Sequence, residues 1–118
     1  MPHPLEIKVH QVSRLLEIAF DNGASFRLSF EYLRVYSPSA EVRGHGPGQE
    51  VLQAGKKEIG LSKIEPVGNY AVQIHFSDGH NTGIYSWDYL NELGENQDQW
   101  WQAYLDRMQH AGARREPK

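Results

Sequence analysis

Residues 16–23 read Leu-Glu-Ile-Ala-Phe-Asp-Asn-Gly, and residues 72–79 repeat the pattern as Val-Gln-Ile-His-Phe-Ser-Asp-Gly. The likeness continues at residues 29–33, Ser-Phe-Glu-Tyr-Leu, which match Ser-Trp-Asp-Tyr-Leu at residues 86–90. In each copy, apolar residues alternate with others as in a half-buried strand, and a turn rich in Asp, Asn or Gly follows. The sequence therefore predicts two related units of strand, tight turn, strand and helical turn.

Hydrophobic periodicity predicts the elements outside this repeat. Residues 5–9 alternate as in a strand that precedes the first unit, and Ile59 and Leu61 indicate a strand before the second. Gly94 is well placed to end the helix of the second unit. The last helix carries one apolar face, formed by Trp101, Tyr104, Leu105 and Met108. The fold class is therefore α+β, an antiparallel β-sheet of hairpins with two to three short helices packed on it.

Length and composition are those of one ordinary domain. We expect a single domain over residues 1–118, with a disordered tail at residues 111–118. The net charge of −3 argues against nucleic-acid binding through bulk electrostatics. The chain shows no secretory signal pattern, and no apolar run approaches the ~18 residues that a membrane span requires. We therefore expect a cytoplasmic protein that binds neither membranes nor nucleic acid.

The sequence patterns of common catalytic sites are missing. The chain has no cysteine, which excludes disulfides, thiolate zinc sites and thiol nucleophiles. It has no His-x-x-x-His or His-Glu-x-x-His pair for a metal and no Gly-x-Ser-x-Gly turn for a serine nucleophile. Gly55-Lys56-Lys57 resembles the end of a phosphate-binding loop but lacks the hydroxyl residue that should follow. We therefore expect no catalytic residues and no stand-alone enzyme.

Three segments carry a family resemblance. They are residues 33–45, residues 64–72 and residues 78–90, and the last contains the specific run Asp-Gly-His-Asn-Thr-Gly-Ile-Tyr-Ser-Trp. Together they resemble the small bacterial DUF971 proteins. The same domain is found at the N-terminus of gamma-butyrobetaine hydroxylase and trimethyllysine hydroxylase. The resemblance covers roughly residues 5–107, nearly the whole chain.

The resemblance implies a domain that is accessory rather than catalytic. In the hydroxylases it holds a structural zinc through three cysteines and one later histidine, and it helps subunits associate. The iron and 2-oxoglutarate residues belong to a second domain, which we expect this chain to lack. Matched to the family pattern, the zinc ligands fall on Ser37, Ser39, Val42 and His80. Hydroxyls are poor zinc ligands and valine is none, so we expect no bound cofactor.

The first functional hypothesis is a non-enzymatic accessory or interaction domain that binds a protein partner. Its surface would combine the loop at residues 38–48 with the turn at residues 79–80, if the two repeated units are related by an approximate twofold axis. Loops of this kind carry function more often than regular elements do. The residues predicted to form the surface are Arg34, Ser37, Glu41, Arg43, His45 and His80.

The second hypothesis is a mononuclear zinc or iron site centred on His80. The other ligands would be His45 or His75, together with a carboxylate from Glu41 or Asp78. The resemblance suggests two settings for such a protein, because the domain also occurs fused to P-loop ATPases that carry iron–sulfur clusters. One setting is iron–sulfur cluster assembly, and the other is partnership with a 2-oxoglutarate oxygenase.

Overall fold

The structure is a computed structural model that describes residues 2–44, 46 and 48–117. In this part of the chain, strands β1 to β3 form one antiparallel sheet in that order, and β4 to β6 form a second. The predicted α+β class is confirmed, although the strands make two sheets and four helices accompany them. In chain order, the elements are β1 (Pro4–His10), β2 (Leu15–Phe20), β3 (Ser25–Ser29), α1 (Phe30–Val35), α2 (Ala40–Arg43), β4 (Leu61–Val67), β5 (Ala71–Phe76), β6 (Ile84–Ser86), α3 (Trp87–Glu95) and α4 (Gln97–Ala111).

The two units predicted from the sequence repeat are both present, one in each sheet. The turn after β2 contains Gly23 at a φ of 88°, and the turn after β5 contains Gly79 at a φ of 89°, a region that residues with a Cβ seldom adopt. The Ser29 hydroxyl accepts a bond from the first turn of α1, and the Ser86 hydroxyl does the same for α3. The two units therefore share their turns and their helix caps.

The two sheets and the helices enclose one main hydrophobic core. The inward-facing residues of the central strands are each at most 4% exposed, and they are Leu16, Ile18, Phe20, Val72, Ile74 and Phe76. Residues of α1 and α3 complete the same cluster. A satellite cluster of Val35, Tyr104 and Met108 holds α4 against the end of α1. No helix within the described residues is long and apolar enough to cross a membrane.

Gly94 does not end α3, as the sequence predicted, but allows the helix to pack closely on the first sheet. The helix α3 continues through it to Glu95 and ends at Asn96. A Cβ at Gly94 would lie only 2.3 Å from ring atoms of Phe26 on β3. The glycine is therefore needed for the close approach of α3 to the first sheet, and the prediction of a C-terminal cap was wrong.

The segment at residues 111–118, predicted as a disordered tail, is docked on the domain through its described part. Gly112 ends α4 with a left-handed φ of 64° and turns the chain back. The Arg115 guanidinium then donates two hydrogen bonds, each 2.9 Å long, to the carboxylate of Glu31, a residue only 6% exposed. The backbone N–H of Lys57 also donates to the carbonyl of Arg115 at 2.9 Å. A buried carboxylate requires a partner, and the tail supplies it.

Candidate functional site: a buried polar cluster beside an aromatic cleft

The turn after β5 points its polar groups toward the end of α1. The carboxylate of Asp78 accepts a hydrogen bond from the backbone N–H of His80 at 3.0 Å, and the carbonyl of His80 accepts one from Phe76. These bonds fix the turn around Gly79. The side chains that meet here form the polar cluster, which consists of Arg34, Ser37, Ser39, Glu41, Asp78, His80 and Thr82.

His80 joins two segments of the chain through its two ring nitrogens. Its Nδ1 lies 3.0 Å from Oε2 of Glu41, and its Nε2 lies 2.9 Å from Oγ of Ser37. Burial of the ring and the nearby charge of Arg34 lower the pKa of His80, while the carboxylates of Glu41 and Asp78 oppose the shift. The ring is therefore neutral at pH 7. Its Nδ1–H donates to the Glu41 carboxylate and its Nε2 accepts from the Ser37 hydroxyl.

Asp78 anchors two cations beside this histidine. Its Oδ2 accepts hydrogen bonds from Nε of Arg34 at 2.9 Å and from Nζ of Lys56 at 2.6 Å. Burial opposes ionisation of the carboxyl. The bonds from Lys56 and the backbone of His80, with the charge of Arg34, outweigh burial and lower the pKa of Asp78 to about 2. Asp78 is therefore a permanent anion at physiological pH.

The serine hydroxyls complete the connection between the two segments. Oγ of Ser39 caps α2 and lies 2.6 Å from the hydroxyl of Thr82. Oγ of Ser37 accepts from the backbone N–H of Ser39 at 3.3 Å. A Cβ at Gly83 would lie 2.4 Å from this Ser37 oxygen, so only glycine fits there without a shift. The cluster thus ties the residues after α1 to the β5–β6 connection.

A cleft of about 630 Å³ opens beside the polar cluster. Its walls come from the end of α1, from α2 with the loop that follows, and from α3 and α4. Tyr36 and Trp100 stack with their ring centroids 5.6 Å apart. The hydroxyls of Tyr36, Tyr89 and Tyr104 each donate to a backbone carbonyl at 2.6 Å, so three walls are held in place. The residues that line the cleft include Val35, Tyr36, Ser37, Val42, Arg43, Glu50, Val51, Leu52, Tyr89, Glu92, Trp100, Tyr104 and Arg107.

Two exposed arginines stand on the aromatic walls of the cleft. The guanidinium carbon of Arg43 lies 4.9 Å from the ring centroid of Tyr89, a cation–π distance. Arg107 lines the cleft together with Tyr36. Burial raises the pKa of Tyr36, and the positive charge of Arg107 opposes this rise. No carboxylate of the described residues lies within 4.0 Å of a nitrogen of either arginine.

Comparison with known families identifies the domain. The sequence model of the family described as gamma-butyrobetaine hydroxylase-like, N-terminal, matches residues 7–91. The chain belongs to this family. It is the family that the sequence resemblance indicated, and that prediction is confirmed. No curated protein matches the chain.

Solved structures of similar proteins share the fold along the chain. One, solved by NMR in solution, is 45% identical, covers 100% of this chain and 93% of its own, and has a TM-score of 0.86. A second NMR structure is 53% identical over 99% of this chain and 87% of its own, with a TM-score of 0.85. A crystal structure from Acidithiobacillus ferrooxidans, of a DUF971 family protein with unknown function, is 43% identical over 78% of this chain and 92% of its own, with a TM-score of 0.66.

The residues at the zinc-ligand positions of the gamma-butyrobetaine hydroxylase-like N-terminal family do not fit zinc in this chain. Ser37 and Ser39 bring hydroxyls to the polar cluster, and Val42 is a buried apolar residue. Both ring nitrogens of His80 are already hydrogen-bonded. His75 lies against Glu65 on the neighbouring strand, away from these bonds. Among the described residues, no three His, Asp or Glu side chains gather as metal ligands do.

The order Ser37, His80, Glu41 resembles the connectivity of a serine hydrolase triad. Sequence reasoning missed it because the histidine lies 43 and 39 residues from its two partners. Ser37 is only 1% exposed. The three residues form a hydrogen-bond chain that joins two segments, with Ser37 at its buried end and Glu41 at its exposed end.

The structure divides the residues predicted for the interaction surface into two groups. Arg34, Ser37 and His80 come together as expected, but they are buried at 7%, 1% and 7% exposure. Their side chains belong to the polar cluster, and Ser37 also lines the cleft. Glu41 and Arg43 are exposed. His45 lies outside the described residues. Whether a partner binds at this surface stays a prediction.

The cleft itself was missed by sequence reasoning. Its two arginines lie 64 positions apart in the chain, at residues 43 and 107, and only folding brings them to one depression. The one available signal was the group of six tyrosines and tryptophans at residues 85–104.

Proposed function

We propose that this chain is a non-catalytic interaction domain and that its protein partner binds in the aromatic cleft. The observation that carries the proposal is the composition of the cleft. Tyrosine, tryptophan and arginine dominate the binding energy of protein interfaces, and Tyr36, Tyr89, Trp100, Arg43 and Arg107 all line this one depression.

The position of the cleft also supports an accessory role. Arg43 belongs both to the cleft and to the surface predicted from the sequence, and exposed Glu41 precedes it on α2. Val51 is an aliphatic residue with 52% of its surface exposed, and it lines the cleft as well. An apolar contact area with a charged rim is the usual plan of a protein interface.

The polar cluster supports binding indirectly. The hydrogen bonds between Ser39 and Thr82 and between His80 and Glu41 fix α2 against the β5–β6 connection, so one wall of the cleft is held before any partner arrives. A site that is already ordered loses less conformational entropy on binding than a mobile one. We therefore assign the cluster to the support of the interaction site and not to chemistry.

The test uses the full chain as bait in a native lysate of its source organism. Val51→Glu places a charge at the apolar edge of the cleft, and Val12→Glu makes the same change at a residue that is 99% exposed and away from the cleft. We expect a protein that is retained by the wild type and by Val12→Glu but is lost with Val51→Glu. Equal retention by both variants, or no retained protein, would contradict the proposal.

A further inference from the structure

We infer that the cleft binds a short peptide segment that carries one acidic residue flanked by apolar residues. This inference rests on the proposed interaction function and names the chemistry of the partner. The acidic side chain would pair with Arg43 and Arg107, and an apolar neighbour would fill the aromatic floor. Three features of the cleft lead to this assignment.

The first feature is a pair of arginines that form no ion pair within 4.0 Å among the described residues. The guanidinium carbon of Arg43 lies 4.9 Å from the ring centroid of Tyr89, and this cation–π contact restricts the positions that the guanidinium can take. Arg107 stands near Tyr36 on the other helix wall. Neither forms an ion pair with the described residues, whereas Arg34 and Arg115 both do. Guanidinium groups bind carboxylates through paired, parallel hydrogen bonds.

The second feature limits the number of acidic groups that fit. Two carboxylates, Glu50 and Glu92, also line the cleft. Backbone N–H groups of Glu50 and Gly48 lower the pKa of the Glu50 carboxyl, and the charge of Arg107 acts in the same direction, so Glu50 is an anion that already offsets part of the Arg107 charge. Glu92 follows Tyr89 on the same face of α3 and repels further negative charge there. One acid between apolar residues therefore fits better than an acidic run.

The third feature is the size and character of the floor. Val35, Val42, Leu52, Tyr104 and the Trp100 ring make it largely apolar. Its volume of about 630 Å³ lies within the ~300–1,000 Å³ of pockets that bury small ligands. That space takes a few side chains of an extended segment and excludes a folded domain. A peptide with an apolar anchor matches this floor.

The experiment selects a random 12-residue peptide library, displayed on phage, against the full-length chain. Peptides that also bind the Val51→Glu variant are removed, so that only peptides whose binding depends on the cleft are carried forward. The enriched peptide is then synthesised, and its affinity is measured by calorimetry for the wild type and for each variant. Arg27→Gln is the matched control, since Arg27 is an exposed arginine on β3 outside the cleft. Circular dichroism confirms that every variant is folded.

We expect the enriched peptides to share one Asp or Glu beside aliphatic or aromatic residues. Each change of Arg43 or Arg107 to glutamine should weaken binding about tenfold, because a charged hydrogen-bonded pair is lost. Replacing the acid of the peptide by its amide should do the same, and Arg27→Gln should leave affinity unchanged.

The possible failures separate this inference from the proposed function. Peptides that bind the cleft, as shown by loss of binding with Val51→Glu, but lack an acid or ignore both arginine changes would overturn the inference alone. A failure to enrich any peptide would overturn both. Sedimentation that shows a dimer broken by Val51→Glu would assign the cleft to a second copy of this chain, and that result would also overturn the inference.

Discussion

Individual residues in this domain show how burial changes the demands on a polar side chain. His80 is surrounded by Ser37, Glu41, Arg34 and Asp78, and its ring stays neutral because burial and the nearby Arg34 guanidinium both disfavour protonation. The sequence singled out His80 from its Gly-rich turn, but the burial that determines its protonation arises from contacts across the fold.

The stability of the domain should fall as the pH drops below the ordinary histidine range. The pKa of His80 is lowered on folding, so the unfolded chain takes up a proton at about pH 6.5 that the folded chain still refuses. The contribution of neutral His80 to the stability is therefore fully present above that pH, and it is lost as the pH falls through the pKa of His80 in the folded chain. Urea unfolding between about pH 5 and 8 measures this pH dependence of the free energy of unfolding. His80→Gln should flatten this dependence, and His110→Gln, an exposed control, should not.

Arg115 should contribute more to stability than its neighbour Arg114. In Arg115→Ala, the carboxylate of Glu31 stays buried without its partner, so we expect a loss on the order of 2–3 kcal/mol in the free energy of unfolding. Arg114 is exposed and makes no ion pair with the described residues, so Arg114→Ala should change it by less than about 0.5 kcal/mol. Equal effects in urea unfolding would refute the docked tail.

At the level of elements, the repeat was readable from the sequence while the exceptions were not. Alternating apolar residues and the turns rich in Asp, Asn or Gly predicted both hairpins and the helical turns that follow them, because those signals are local. The helix α2 is four residues long and too short for periodicity to reveal. The docking of the tail depends on Arg115 and Glu31, which are 84 positions apart. Contacts of this kind arise only when the elements are packed.

Gly83 should be required for the connection between the residues after α1 and the second sheet. In Gly83→Ala the new methyl group would overlap the Ser37 hydroxyl and the ring of Tyr85, so we expect a loss of about 1–3 kcal/mol. Gly60→Ala is the control, because its Cβ would meet Ser77 at 3.5 Å, an ordinary contact. Thermal unfolding of both variants compares them. A Gly83→Ala domain as stable as the control would show that the close packing is not needed.

The segment at residues 37–42, together with His80, should bind zinc if the cysteine ligands of the family are restored there. The triple variant Ser37→Cys, Ser39→Cys, Val42→Cys places three thiolates at the family positions beside His80, a complete set for tetrahedral zinc. Elemental analysis of untagged protein should find about one zinc per chain in this variant and none in the wild type. Stoichiometric zinc in the wild type would contradict our account of the polar cluster.

The whole molecule combines a repeated scaffold with a site that lies outside the repeated sequence. The two repeated units bury one core. The cleft lies between α2 with its following loop and α4, two segments outside the matching sequences at residues 16–33 and 72–90. The scaffold could therefore be inferred from the pattern of residues, whereas the site required the packing of segments that do not repeat.

The most direct measurement is a map of backbone amide chemical shifts in the full chain as the selected peptide or the captured partner is added. The account predicts that shifts concentrate at Arg43, Val51, Tyr89, Trp100 and Arg107, around the cleft. The outward-facing strand residues Lys8, Arg27 and Lys63 should stay unchanged. Perturbations confined to those outer strand faces, with the cleft unaffected, would contradict the claim that this cleft is the interaction site.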